Sequence, residues 1–207
     1  MQDAPMGGRF QNRLSDFCDL VLLNLAFLVC CLPVFTIGAA VSGLSYANLK
    51  LVREDAGSIL KTYWKGFRSS FHAATLYWLA FLALVFLLAV DYRMLPVLVP
   101  GLYPAARCMV VLFFILAWAL MLYLLPILSW FDCSSRQALK NALLMLFGHF
   151  PQTLLLLLLN GFFPVLSALS EVFFLYGSCL FLVCGAALVN LISCRILSGI
   201  FKNYETV

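Results

Sequence analysis

The chain has 207 residues, 64% of them hydrophobic and 11% charged, with a mean hydropathy of +1.02. Globular domains are about half apolar and a quarter charged, so a soluble domain is excluded, and the length leaves room for several membrane-crossing segments of about 20 apolar residues each and little else. The net charge of +4 is what a membrane protein accumulates near its cytoplasmic ends; it implies a lipid bilayer around the chain and no nucleic-acid partner.

Arg9 and Arg13 precede an apolar run that no small-residue cleavage pattern closes, so the run reads as a retained first helix. Phe17 to Val52 form 36 nearly uncharged residues, too many for one span, and Leu32 to Ala40, LPVFTIGAA, interrupts them. Ser15 or Asp16 can cap a first span over 17–32. Pro33 disfavours helical geometry at Leu32, and Gly38 is permissive, so Pro33, Thr36 and Gly38 predict a tight outward-facing turn. The alternative is one long kinked span. A second span over 34–49 carries Ala39, Ala40, Ser42, Gly43, Ser45 and Ala47, a surface of small residues suited to close helix packing.

Charge then appears at Lys50, Arg53, Glu54 and Asp55. From Ser58 onward Ile59, Leu60, Tyr63, Phe67 and Phe71 oppose Lys61, Lys65 and Arg68, which predicts an amphipathic helix over 58–71 lying along the membrane. Spans follow over 73–90 and 108–131, joined by an irregular connection that holds Pro96, Pro100, Gly101 and Pro104. A second amphipathic helix is expected over 134–149, capped by Asp132 or Ser134, with Arg136 and Lys140 on its polar face. The last spans are 151–168, broken by Asn160-Gly161 and Pro164, and 172–194. The fold class is therefore all-α, a polytopic bundle of six spans, or five if the first two are one, plus two interfacial helices.

With six spans both termini share one side, which collects Arg9, Arg13, Lys50, Arg53, Lys61, Lys65, Arg68, Arg136, Lys140, Arg195 and Lys202. Only Arg93 and Arg107 lie on the other, so the bias predicts both termini and both amphipathic helices in the cytoplasm. Leu32-Pro33 and Leu125-Pro126, each followed by an amphipathic helix, a histidine and another span, form a weak internal repeat.

Catalytic patterns are absent: there is no phosphate-binding glycine loop, no nucleophile elbow, no HExxH and no dinucleotide fingerprint. No enzyme activity, cofactor or metal is implied. The eight cysteines lack zinc spacing and read as packing residues. His72 and His149 sit at interfacial depth, where amphipathic rings are favoured. Asn24, Asn160 and Asn190 lie within spans and either bond between helices or line a path for a polar solute. Lys61, Lys65, Arg68, Arg136 and Lys140 form a candidate basic docking face.

The run RLSDFCDLVLLNLAFLVCCLPVFTIGAA, followed by LKLVRE and FRSSFHAATLYWL, resembles the YesL family of bacterial membrane proteins, whose biochemical function is unassigned. Pro33, Thr36 and Gly38 are its most specific part. The resemblance implies a genomic context, beside carbohydrate ABC transporters and polysaccharide-degrading enzymes, rather than a mechanism. Together these readings lead to an accessory or scaffold protein acting beside an ABC permease or a membrane signalling protein. The alternative is a small-solute transporter or channel.

Overall fold

The structure is a computed structural model, which describes residues 6–53, 58–98, 103–131, 134–169, 174, 177 and 181–205. Every regular element among them is helical: α1 Met6–Cys31, a 3-10 turn Val34–Thr36, α2 Ile37–Val52, α3 Ile59–Leu98, α4 Tyr103–Trp130, α5 Ser135–Gly148, α6 Phe150–Leu169, a π-helical turn Phe181–Gly185 and α7 Ala186–Glu205. The chain is thus all-α. Four of its helices are long and apolar enough to cross a membrane, over Ile59–Leu95, Pro104–Trp130, Phe150–Ser167 and Val183–Phe201. Large apolar side chains on their outer faces, such as Phe86, Leu87, Phe113 and Phe162, are exposed, the surface expected where lipid rather than water is the solvent.

The short helix α2 forms the centre. Ten of its 16 residues are buried, because α1, α3, α4 and α7 all pack on it. Small residues make that possible: a Cβ on Gly38 would lie 2.5 Å from Trp78 Cβ, and one on Gly43 would lie 3.1 Å from Phe67 Cα. The backbones of α2 and α3 therefore approach more closely than larger side chains allow. The Gly43–Phe67 and Gly38–Trp78 contacts also fix the direction: α2 and the first half of α3 run antiparallel. Leu23 of α1, Leu44 and Ala47 of α2, Ile59 and Tyr63 of α3 and Ala187 of α7 fill one cluster. A second joins α4, α5, α6 and α7 around Tyr123, Leu124, Met145, Leu156, Leu197 and Phe201.

The turn between α1 and α2 forms where expected. Helix α1 ends at Cys31, Pro33 is extended at φ −79° and ψ 120°, and α2 starts at Ile37. The Thr36 hydroxyl sits 2.6 Å from the Cys30 carbonyl oxygen and 2.7 Å from that of Pro33, so its one proton is shared between a carbonyl in the last turn of α1 and the Pro33 carbonyl, which also accepts the Thr36 N–H at 3.0 Å. Two separate helices packed on each other replace the alternative of one kinked span. Gly38 lies inside the first turn of α2, where it starts the expected small-residue packing face and allows the close approach to Trp78.

Other expectations are corrected. Residues 58–71 do not form a separate interfacial helix: they are the first part of α3, a 40-residue helix of about 60 Å. No proline or unsatisfied backbone group separates the amphipathic part from the apolar part, so a change in sidedness does not become a break. Helix α3 also passes Asp91 and Arg93 to Leu98, and α4 begins at Tyr103, five residues before the expected 108. Helix α1 starts at Met6, so neither Ser15 nor Asp16 caps it. Ser134 occupies the cap position of α5 without a side-chain cap bond. Asn160-Gly161 and Pro164 leave α6 unbroken, and α7 continues past Cys194 to Glu205. Leu125-Pro126 lies within α4 whereas Leu32-Pro33 makes a turn, so the two do not correspond structurally. Glu54, Asp55, Pro100, Gly101, Asp132, Cys133 and most of 170–180 lie outside the described residues.

Candidate functional site

The buried polar groups collect along the seam between α2 and α7. Asn48 is fully buried, and its amide donates to the Ala187 carbonyl at 3.2 Å and to Asn190 Oδ1 at 2.9 Å. The Asn190 amide donates to Ser45 Oγ at 3.0 Å. The Cys194 thiol lies 3.4 Å from Asn190 Oδ1 and 3.6 Å from the Ser45 carbonyl. Ser45 and Asn48 share one face of α2, three apart, and Asn190 and Cys194 share one face of α7, four apart; helical spacing thus brings all four together. Buried polar groups stabilise only when paired, and this seam is largely paired within itself.

Asn24 stands apart from it. It is fully buried in α1, accepts from the Ala187 N–H at 3.0 Å and donates to the Phe181 carbonyl at 3.4 Å. It thereby bridges the π-helical turn and the start of α7, where regular i to i−4 pairing is lost. Its role is to splice two helical registers.

A cavity of about 220 Å³ lies beside the seam, lined by α2, α4, α6 and α7 and by Trp78 and Phe81 of α3. Its lining is mostly apolar, with one polar wall of Ser45, Asn160, Asn190, Ser193 and Cys194. The structure thus brings Asn160 and Asn190 to one cavity and leaves Asn24 out. The Asn160 amide donates to Leu156 in its own helix at 2.9 Å and to Ser193 Oγ at 3.1 Å. Its side-chain carbonyl accepts no hydrogen bond among the described residues. The prolines at 126 and 164 have no N–H to offer the carbonyls of Leu122 and Asn160, four residues earlier, and both of those residues line the cavity.

Lys61, Lys65 and Arg68 are exposed along one stripe of α3. Beside them Leu60 and Trp64 are exposed too, Trp64 by 50%, and the five line one shallow depression. Trp64 is held by stacking on Phe67 at 5.3 Å. Arg136 and Lys140 are exposed on α5, whose start is tied to α3 by the Tyr77 hydroxyl donating to the Ser135 carbonyl at 2.8 Å. Other cations sit over rings: Arg53 over Trp130 at 4.5 Å and Arg107 over Tyr92 at 4.0 Å. His72 is exposed with its ring edge against Phe71, and His149 follows α5 as its C-cap. No group of three or more His, Cys, Asp or Glu side chains that could hold a metal occurs among the described residues.

Sequence reasoning missed Asn48, Ser193 and the hydrogen-bonding role of Ser45. Asn48 stands two residues before Lys50 and reads as the polar end of a span; its spacing of three from Ser45 was the available signal.

The fold and the seam define a small all-α protein in which membrane-length helices surround a short buried one. Residues 20–92, from α1 through the turn and α2 to the Tyr92 region of α3, match the family described as "Protein of unknown function, DUF624", the domain family of YesL-type proteins. None of the curated proteins and none of the solved structures matches the chain.

Proposed function

We propose that the protein is a YesL-type accessory or scaffold protein of the cell membrane, which docks a permease or signalling protein, or the bilayer surface around it, through its basic cytoplasmic face. The observation that carries this reading is the exposed stripe of Lys61, Lys65 and Arg68 beside exposed Leu60 and Trp64. Such a stripe suits a surface that is both anionic and apolar. Association with carbohydrate uptake belongs to the same proposal and rests on the family resemblance. The test is a photo-crosslinking residue at Lys61 or Lys140 in native membranes. A defined integral membrane partner, lost when Lys61, Lys65 and Arg68 become Glu, supports docking; recovery of the protein alone from both positions sinks it.

The topology proposed with it keeps both termini cytoplasmic and six inserted helices, the sixth being the span Val183–Phe201. Two of the six, α1 and α2, do not cross. The Trp78 ring N–H donates to the Val34 carbonyl at 2.9 Å, so the hairpin tip lies beside Trp78. Asp91 is about 20 Å further along α3. With Asp91 and Arg93 at the outer surface, the tip stops well inside the roughly 30 Å core. The tip itself is apolar and exposed, with Leu32 at 81%, Val34 at 61% and Phe35 at 52%, which suits lipid and not water. Its carbonyls are served by Thr36 and Trp78, as non-helical backbone at membrane depth requires.

The cavity beside Asn160 and Asn190 supports a second reading, a small-solute transporter or channel. Flux in proteoliposomes decides that one: leak or uptake above empty vesicles supports it, and no flux across sugars and ions removes it.

A further inference from the structure

Each donor group in the polar wall of the cavity already donates within the protein. Ser45 Oγ gives its proton to the Val41 carbonyl at 2.9 Å, and Ser193 Oγ to that of Val189 at 2.9 Å. The Asn190 amide serves Ser45, and the Asn160 amide serves Leu156 and Ser193. The acceptors are in surplus: the Asn160 side-chain oxygen has no donor among the described residues, and Pro126 and Pro164 supply no N–H to Leu122 and Asn160. No charged side chain lines the cavity. The lining has no means of neutralising an ion, and the Asn160 oxygen is left open to a donor that a ligand brings.

We infer that this cavity is a binding site for an uncharged, mostly apolar small molecule that presents a hydroxyl to Asn160. Size agrees: an apolar cavity of about 150 Å³ takes a benzene ring, so about 220 Å³ takes a ring with one or two small substituents. A route in is also present. Trp118 lines both the cavity and an apolar groove of about 720 Å³ between α4 and α6, so a ligand dissolved in the bilayer reaches the site from the groove past one indole. The inference depends on no transport step and on no protein partner, and it stands or falls separately from both readings above.

The test uses the full chain in nanodiscs and the fluorescence of Trp78 and Trp118, which line the cavity, over the baseline of Trp64 and Trp130, which do not. The probes are 4-bromobenzyl alcohol and bromobenzene, both heavy-atom quenchers. The alcohol is expected to quench saturably and to bind about fivefold tighter than bromobenzene, the worth of one net hydrogen bond. Asn160→Leu is expected to abolish that preference. Linear quenching that is equal for both probes, equal affinities in the native chain, or an undiminished preference in Asn160→Leu overturns the inference. Should Asn160→Leu fail to fold, Val41→Phe, which fills the cavity from α2, decides: loss of the saturable component supports the site and its persistence overturns it.

Discussion

Gly38 and Gly161 are both glycines inside helices, and their surroundings give opposite predictions. A Cβ on Gly38 meets the Trp78 Cβ at 2.5 Å and the Ala74 carbonyl at 2.6 Å, positions set by backbone, whereas one on Gly161 meets nothing within 4 Å. Overpacking a close approach costs about 1–3 kcal/mol, while replacing a helical glycine by alanine in open space gains up to about 1 kcal/mol. Gly38→Ala is therefore expected to lower the thermal midpoint of the purified protein and Gly161→Ala to leave it unchanged or raise it, measured side by side in one detergent. Thr36 gives a second contrast at this scale. Thr36→Val keeps the shape of the side chain and deletes the hydroxyl that serves Cys30 and Pro33, and should cost about 1 kcal/mol. Thr36→Ser should retain most of the stability. Sequence made Pro33, Thr36 and Gly38 legible as a group, since proline and glycine carry backbone constraints anywhere. It did not reveal that Gly38 serves α3, because the demand comes from Trp78, 40 positions away.

At the scale of elements, the two helices most in need of tertiary support are α2 and α7. Asn24 supplies α7 with an acceptor for the Ala187 N–H next to the π-helical turn. Asn24→Leu leaves that buried N–H unpaired, at a cost of about 1–3 kcal/mol, and amide exchange at Ala187 is expected to accelerate while exchange in α5 stays unchanged. Equal acceleration throughout would argue for global destabilisation instead. Across the α2–α7 seam, a double-mutant cycle between Asn48→Leu and Asn190→Leu should give a coupling of about 0.6 kcal/mol, the average for such pairs in membranes; additive losses would mean that the 2.9 Å contact contributes nothing. The helical character of these segments was legible in their apolar runs. Their ends were not: the amphipathic stripe of 58–71 looked like a separate helix because periodicity reports which face is wet, and α3 carries both sidedness patterns along one continuous backbone.

For the whole molecule, the decisive prediction concerns the hairpin tip. With the eight native cysteines replaced by Ala, Val34→Cys should resist a membrane-impermeant maleimide added outside intact cells, whereas Met94→Cys, exposed on α3 beyond Arg93, should react. Labelling of both from outside would restore two full spans in place of the re-entrant hairpin. Long unbroken apolar runs determined that the chain is an all-α protein with membrane-length helices, because a backbone in lipid must pair within a helix or a closed barrel, and barrel strands alternate apolar with polar residues. Charge asymmetry determined the expected orientation, since moving a lysine or arginine across a bilayer is costly wherever it sits in the fold. Only the tertiary structure decided that α2 is enclosed by four helices, that the turn stops beside Trp78, and that Asn160 and Asn190 face one cavity while Asn24 does not. Those outcomes depend on which small residues meet across helices far apart in sequence, and a pattern of apolar residues along one helix does not encode its neighbours.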